Sequence, residues 1–311
     1  MGMKVTAILP PFLPIEDIRK TASSILPGIE IRTDLDFTGD KSDVLIATTF
    51  THIGKEELNK FPSLKFLQIA STGYDNVDLD EVKKRNIILC NSPTSNKESV
   101  AEHVIGMALY FLKDFKFLDS EIRSGNWPLL TASRDLKGKI FGIVGMGAIG
   151  KRLAERLVVM GAGVIYYDAR RLPEKSEDDL GVTYVPLDEL ISSADIISLH
   201  VPLTDDTRKM ISRKQFEAMK QGCIFINTSR AEVVHTPDLI RALKEGRIKA
   251  GIDVYDKEPP DFSSDLFKMD NALFSPHIAG VTIESQGRFI EETVANVIRF
   301  LQGVDPINRV I

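Results

Sequence analysis

The stretch "KIFGIVGMGAIGKRLAERL", residues 139–157, constrains the fold of this chain more than any other. An apolar run stops at three glycines spaced Gly145-x-Gly147-x-x-Gly150, and a helical pattern begins on the last of them. Glycine there supplies a tight turn, a bare backbone that a pyrophosphate can approach, and a close helix–strand contact. The unpaired N–H groups and positive dipole end of the following helix suit phosphate. Glycine serves packing alone in many strand–helix turns, so the surrounding residues decide. A second strand, "VIYYD", ends in Asp168, eighteen residues after Gly150. A carboxylate there accepts hydrogen bonds from ribose hydroxyls and repels a 2′-phosphate. The unit predicts dinucleotide binding with NAD favoured, a preference that Arg170 and Arg171 blur.

The rest of the chain extends the same alternation. "KVTAIL", "DVLIATT", "LKFLQIAS" and "NIILC" precede residue 100. "KIFGIVG", "VIYYD", "VTYV", "IISLHV", "CIFINTS", "AGIDVY" and "ALFSP" follow it. Near-continuous β-branched runs separated by helical stretches read as parallel strands buried on both faces. The predicted architecture is α/β with two doubly wound parallel-sheet domains, a Rossmann domain inserted in a flavodoxin-like one. The polar stretch "NSPTSNKES" marks the boundary, and the helix at 282–303 closes the chain on the first domain. The expected division is 1–97 plus 286–311 for substrate and 98–285 for dinucleotide. The helix "VAEHVIGMALYFLKDF" has Ser99 as its expected N-cap, with Glu102 three residues on. Its apolar residues occupy nearly every side, which favours a subunit interface and a homodimer over a central crossover helix.

Composition narrows the class. With 311 residues, two domains are the natural expectation. A net charge of −5 and scattered Lys and Arg argue against nucleic acid as a partner. The longest apolar run, 104–112, is too short to span a membrane. Cys90 and Cys223 are distant and lack metal-ligand spacing, so they read as reduced thiols of a cytoplasmic protein with no metal.

Three strand ends in succession then carry chemistry: "INTSRAE", "GIDVYDKEPP" and "FSPHIAG". They offer Arg230, the carboxylates Asp253 and Glu258, and His277, beyond strands where open α/β sheets bind ligands. Each has a bland reading alone: a surface ion pair, a solvated loop acid, a satisfied turn histidine. Together they match what hydride transfer to a 2-keto acid requires. A cation holds the carboxylate and polarises the carbonyl, and a protonated base supplies the alcohol proton. A partner carboxylate keeps that base protonated and oriented.

These motifs, with "LKFLQIASTGYDNVDL", "VAEH" and "HVPLTDDT", resemble the D-isomer-specific 2-hydroxyacid dehydrogenase family over roughly the last four-fifths of the chain. The resemblance implies that Arg230 binds substrate, that His277 is the general acid/base, and that Glu258 is its paired carboxylate. It places Asp253 near the nicotinamide carboxamide and Thr72, Thr207 and Thr228 against the cofactor. Pro202 falls near adenine, and Ala148, Ile149 and Gly280 complete the cofactor surface. Ser71, Thr72 and Gly73 match the loop whose amides hold the substrate carboxylate. The implied substrate is a small 2-keto or 2-hydroxy acid, either 3-phosphohydroxypyruvate/3-phosphoglycerate or glyoxylate/hydroxypyruvate. The alternative is a non-catalytic NAD(H)-sensing protein of the same fold. Ala148 and Ala231 depart from the commonest pattern, which has arginine and glycine there. His52, His103, His200 and His235 read as structural, with Thr236 and Pro237 as N-cap and first helical residue.

Overall fold

Val5–Ile8, Val44–Ala47 and Phe66–Ile69 are buried at every position, which is why their sequences are mostly apolar, Thr6 and Gln68 excepted. They belong to a computed structural model that describes residues 3–37 and 39–311. Met1, Gly2 and Thr38 lie outside the described residues.

The chain folds as two units, 1–96 with 283–311 and 97–282. The first contains β1 (Val5–Ile8), α1 (Ile15–Ile25), β2 (Glu30–Arg32), β3 (Val44–Ala47), α2 (Lys55–Asn59), β4 (Phe66–Ile69), α3 (Leu79–Lys84) and β5 (Ile88–Cys90). Its sheet runs β2-β1-β3-β4-β5, with parallel pairing throughout, the flavodoxin-like order. The second holds α4 (Lys97–Leu112), α5 (Phe115–Arg123), β6 (Ile140–Val144), α6 (Ala148–Val159), β7 (Gly163–Tyr167), α7 (Glu174–Leu180) and β8 (Val182–Tyr184). It continues through α8 (Leu187–Ser193), β9 (Ile196–Leu199), α9 (Arg213–Ala218), β10 (Cys223–Asn227), α10 (Thr236–Lys244), β11 (Ile248–Ile252) and β12 (Ala272–Phe274). The order β12-β11-β10-β9-β6-β7-β8 is that of a Rossmann sheet with an added edge strand, again all parallel. Helix α11 (Ile283–Leu301) rejoins the first unit. There Asn296 is fully buried and donates to Gln68 Oε1 on β4 and to the Ile307 carbonyl, at 2.9 and 2.8 Å.

Three expectations are corrected. Strand β2 is three residues long with charged ends, so it carries no apolar run to find. Helix α4 begins at Lys97, and Ser99 lies inside it, buried, with its hydroxyl 3.0 Å from that of Thr282. The earlier start brings Glu98 against Arg152 of α6 at 2.6 Å, while Glu102 pairs with Arg156 at 3.2 Å. Helix α10 is capped by His235, one residue before Thr236, with its Nδ1 2.6 Å from Asp238 Oδ2.

Helix α4 packs as a crossover helix within its own unit: Val100, Val104, Met107, Ala108 and Phe111 are buried in the same core as β6 and α6. Ile105, Leu109 and Tyr110 pack partly buried against that core. Among the exposed large apolar residues are Phe115 and Ile122 of α5 and Trp127, Leu129 and Leu130 in the loop beyond it.

Candidate active site

The glycine turn between β6 and α6 divides into two kinds of position. A Cβ on Gly145, whose φ is +102°, would lie 2.7 Å from the His200 carbonyl, and one on Gly150 would lie 2.2 Å from the Gly145 oxygen. The fold itself forbids a side chain at both. Gly147 is different: its φ is an ordinary −76°, and a Cβ there would meet nothing within 4 Å. It is the N-cap of α6 and provides no side-chain acceptor for that helix's first N–H groups. The bare surface at Gly147 leaves room at the α6 N-terminus that a pyrophosphate would fit. Ala148 and Ile149 form the first turn of α6, so no cation stands where the family commonly has arginine.

Asp168 sits half-buried at the end of β7. Oδ2 accepts from the Met146 N–H at 2.7 Å and Oδ1 from the Arg170 N–H at 2.9 Å. A carboxylate has about four acceptor sites, so two remain for ribose hydroxyls. Arg171 is spent: its guanidinium grips Glu177 at 2.9 and 2.7 Å. That contact, with the Tyr166 hydroxyl, draws Glu177 down to about 2. Arg170 alone of the two basic neighbours is unpaired among the described residues. The Thr228 hydroxyl, just past β10, is buried with no hydrogen-bond partner, as a residue awaiting a ligand would be. Thr207 donates to the Pro202 carbonyl at 2.6 Å and closes the turn after β9. Burial pushes His200 down to about 3, so its ring is neutral, 2.9 Å from the Ser198 hydroxyl.

The segments after β11 and β12 interlock. His277 Nδ1 lies 2.7 Å from Glu258 Oε2, and Glu258 Oε1 accepts from the Tyr255 N–H at 3.1 Å. With Nδ1 held, Nε2 is the nitrogen left to exchange a proton with a ligand. His277 adopts a left-handed backbone, φ +54°, which costs a non-glycine residue about 1–3 kcal/mol. Asp253, 1% exposed, supplies the compensation. Its oxygens accept from the N–H groups of Ile278 and Ala279 at 3.0 Å each, and from the Ser275 hydroxyl at 2.5 Å. Hydrogen bonds to a charged group contribute roughly 1.5–3 kcal/mol apiece, so three outweigh the strain. Since Ser275 has one hydroxyl proton and gives it to Asp253, His103 Nε2, 3.1 Å away, must be the donor to that oxygen. Ser275 and Tyr255 are supporting residues that motif reading missed, while His103 has the structural role read for it, against Ser275.

Arg230 precedes a short 3-10 turn at Ala231–Val233 and donates to the Ser229 carbonyl at 2.7 Å. Ala231 has no left-handed backbone, so the glycine usual there is not required. Gly280 ends the loop that His277 opens. In the first unit, the loop after β4 carries Ser71, Thr72 and Gly73. Thr72 donates to Asn96 Oδ1 at 2.9 Å, and its carbonyl accepts from Asn91 Nδ2 at 2.7 Å. The N–H groups of residues 71–73 donate to none of the described residues, which suits a turn that receives an anion. No cluster of metal-ligating side chains occurs among the described residues.

A dinucleotide-binding sheet with a carboxylate-supported histidine at its strand ends defines a pyridine-nucleotide oxidoreductase. Residues 105–279 match the family model for the NAD-binding domain of D-isomer-specific 2-hydroxyacid dehydrogenases. A glyoxylate reductase of Thermococcus litoralis is 39% identical over 86% of this chain and 83% of its own. A hydroxypyruvate reductase of Thermotoga maritima is 34% identical over 83% and 85%. The crystal structure of a D-lactate dehydrogenase from Aquifex aeolicus, complexed with NAD and lactic acid, superposes with a TM-score of 0.87 at 30% identity, covering 96% of each chain. The chain belongs to the D-isomer-specific 2-hydroxyacid dehydrogenase family, and it is an NAD-dependent oxidoreductase.

The glycines separate folding from binding. Gly147→Ala is expected to melt within a few degrees of wild type but to bind NADH at least tenfold more weakly, measured by fluorescence titration. Gly150→Ala forces an overpacked contact costing about 1–3 kcal/mol or more, so its melting temperature should fall clearly. Equal melting losses in both variants would refute the division.

Proposed function

We propose that this protein reduces glyoxylate or hydroxypyruvate with NADH, the observation carrying the reading being the 2.7 Å His277–Glu258 pair. Both relatives named above act on such small 2-keto acids, which supports the choice. When bound, the nicotinamide supplies the hydride. Arg230 binds the substrate and polarises its carbonyl. His277 gives its Nε2 proton to the developing alkoxide, and Glu258, in contact with Nδ1, holds the ring in place for that transfer. In oxidation the same nitrogen accepts the proton. Gly147, Asp168, Pro202, Thr207, Thr228 and Gly280 form the cofactor surface in this reading, with Asp253 buried behind it.

Residues 1–97 with 286–311 then act as the substrate domain and 98–285 as the dinucleotide domain. The two unpaired, buried cysteines suit a cytoplasmic protein. We also propose a homodimer. Helix α5 has no buried residue, and Trp127 and Leu130 beyond it are 79% and 92% exposed. Large apolar side chains left in water together mark an interaction surface.

Assays of glyoxylate, hydroxypyruvate and 3-phosphohydroxypyruvate with NADH and NADPH test the substrate. Turnover of either of the first two with NADH is expected, and tight NADH binding without turnover on any keto acid would favour the sensing alternative. Arg230→Lys keeps the charge but loses the planar fork. It should raise KM and lower kcat, together reducing kcat/KM by about a hundredfold, with NADH affinity unchanged. Wild-type kinetics would remove Arg230 from the site.

The dimer is tested by light scattering. Wild type should show twice the 34.6 kDa of one chain, and Trp127→Asp/Leu130→Asp a single chain with native circular dichroism. A monomeric wild type would overturn the proposal.

A further inference from the structure

We propose that Tyr255 is a positioning residue for the acid/base pair, pinning the His277 turn through its phenol and Glu258 through its backbone. The inference rests on the reading of His277 and Glu258 as the reacting pair, and it adds a residue that no motif assigns. The Tyr255 hydroxyl donates to the Ser275 carbonyl at 2.9 Å. That carbonyl also accepts the His277 N–H, at 3.1 Å. It is therefore the point from which the left-handed turn at His277 hangs, and the phenol fixes where it sits.

The same residue reaches the other partner. The Tyr255 N–H donates to Glu258 Oε1, leaving Oε2 to face the imidazole. One residue thus registers the histidine and its carboxylate against each other, from opposite ends of their shared hydrogen bond. Burial, then the nearby carboxylates of Asp253 and Glu258, push the phenol up to about 12, so it stays a donor at every pH at which the enzyme would be assayed.

The aromatic body is held separately. The Tyr255 ring packs on Phe267, centroids 5.7 Å apart, and walls a cavity of about 220 Å³ with Leu239, Val254 and Leu266. Phenylalanine fills the same space and makes the same ring contacts, but it cannot donate to Ser275. The hydroxyl can be deleted without unpacking the loop.

The test compares Tyr255→Phe with wild type and His277→Ala, using intact protein, NADH or its 4-deuterated form, and whichever 2-keto acid the wild type turns over best. We expect Tyr255→Phe to melt like wild type and keep KM and NADH affinity within about twofold. Its kcat should fall about tenfold, a fraction of the 10²–10⁴ that general acid catalysis contributes. Its primary deuterium isotope effect should rise, because a displaced proton donor slows the chemical step. A wild-type kcat and isotope effect would overturn the role. So would a loss shared equally by KM or NADH affinity, which assigns the phenol to general packing of the site. His277→Ala separates the two claims. If it is inactive while Tyr255→Phe is normal, only the positioning role falls; if it is active, the underlying pair falls.

Discussion

Asp253 is the interaction on which the site depends. It stands immediately after β11 and is almost wholly shielded from water, yet its three protein donors all come from the loop after β12. Burying a carboxylate is unfavourable unless it is hydrogen-bonded on most sides, and here the donors are two main-chain N–H groups and a hydroxyl. The geometry is consequently stiff. It holds His277 in a backbone conformation that a histidine on a free loop would leave, and it aligns the ends of neighbouring parallel strands. Glu258 then reaches back from the same segment to the imidazole. The strain at His277 is tolerated because its surroundings over-determine it.

The glycine turn shows the same logic in the backbone. Gly145 and Gly150 approach so closely that no side chain fits either, and this approach seats α6 on β6. Gly147 is unneeded for that packing. A position that the fold leaves free, on a helix N-terminus beside a half-used Asp168, is where a ligand's requirements can be read apart from the protein's own. The engagement of Arg171 by Glu177 leaves one side chain fewer to welcome a 2′-phosphate than the bare sequence suggested.

The sheets were legible because parallel strands buried on both faces leave unbroken apolar runs. β1, β3, β4, β6, β9 and β10 were visible for that reason. β2 was not, since three residues with charged ends leave no such trace. The motif residues were legible through spacing: Arg230, Glu258 and His277 each follow a strand, and the structure brings Glu258 and His277 into contact. The supporting network was hidden. Ser275, His103 and Tyr255 act through hydrogen bonds between segments distant in sequence, and nothing in local pattern marks such partners. Apolar residues on every side of α4 look alike in sequence whether they face a second subunit or the core of their own unit. Of the exposed residues in 115–130, those of α5 do carry a helical apolar period, whereas Trp127, Leu129 and Leu130 lie in a loop that has none.

The account turns on the charge of Glu258. In the proposed mechanism reduction takes a proton from His277 and oxidation returns one, so removing the charge of the carboxylate 2.7 Å away should change the pH dependence of both directions. Glu258→Gln keeps the shape and removes the charge. The most direct measurement is the pH profile of kcat/KM in both directions for wild type and this variant. The alkaline limb of reduction and the acid limb of oxidation should both move to lower pH. Profiles that coincide with wild type would show that the imidazole does not depend on Glu258, and the proposed acid/base pair would be contradicted.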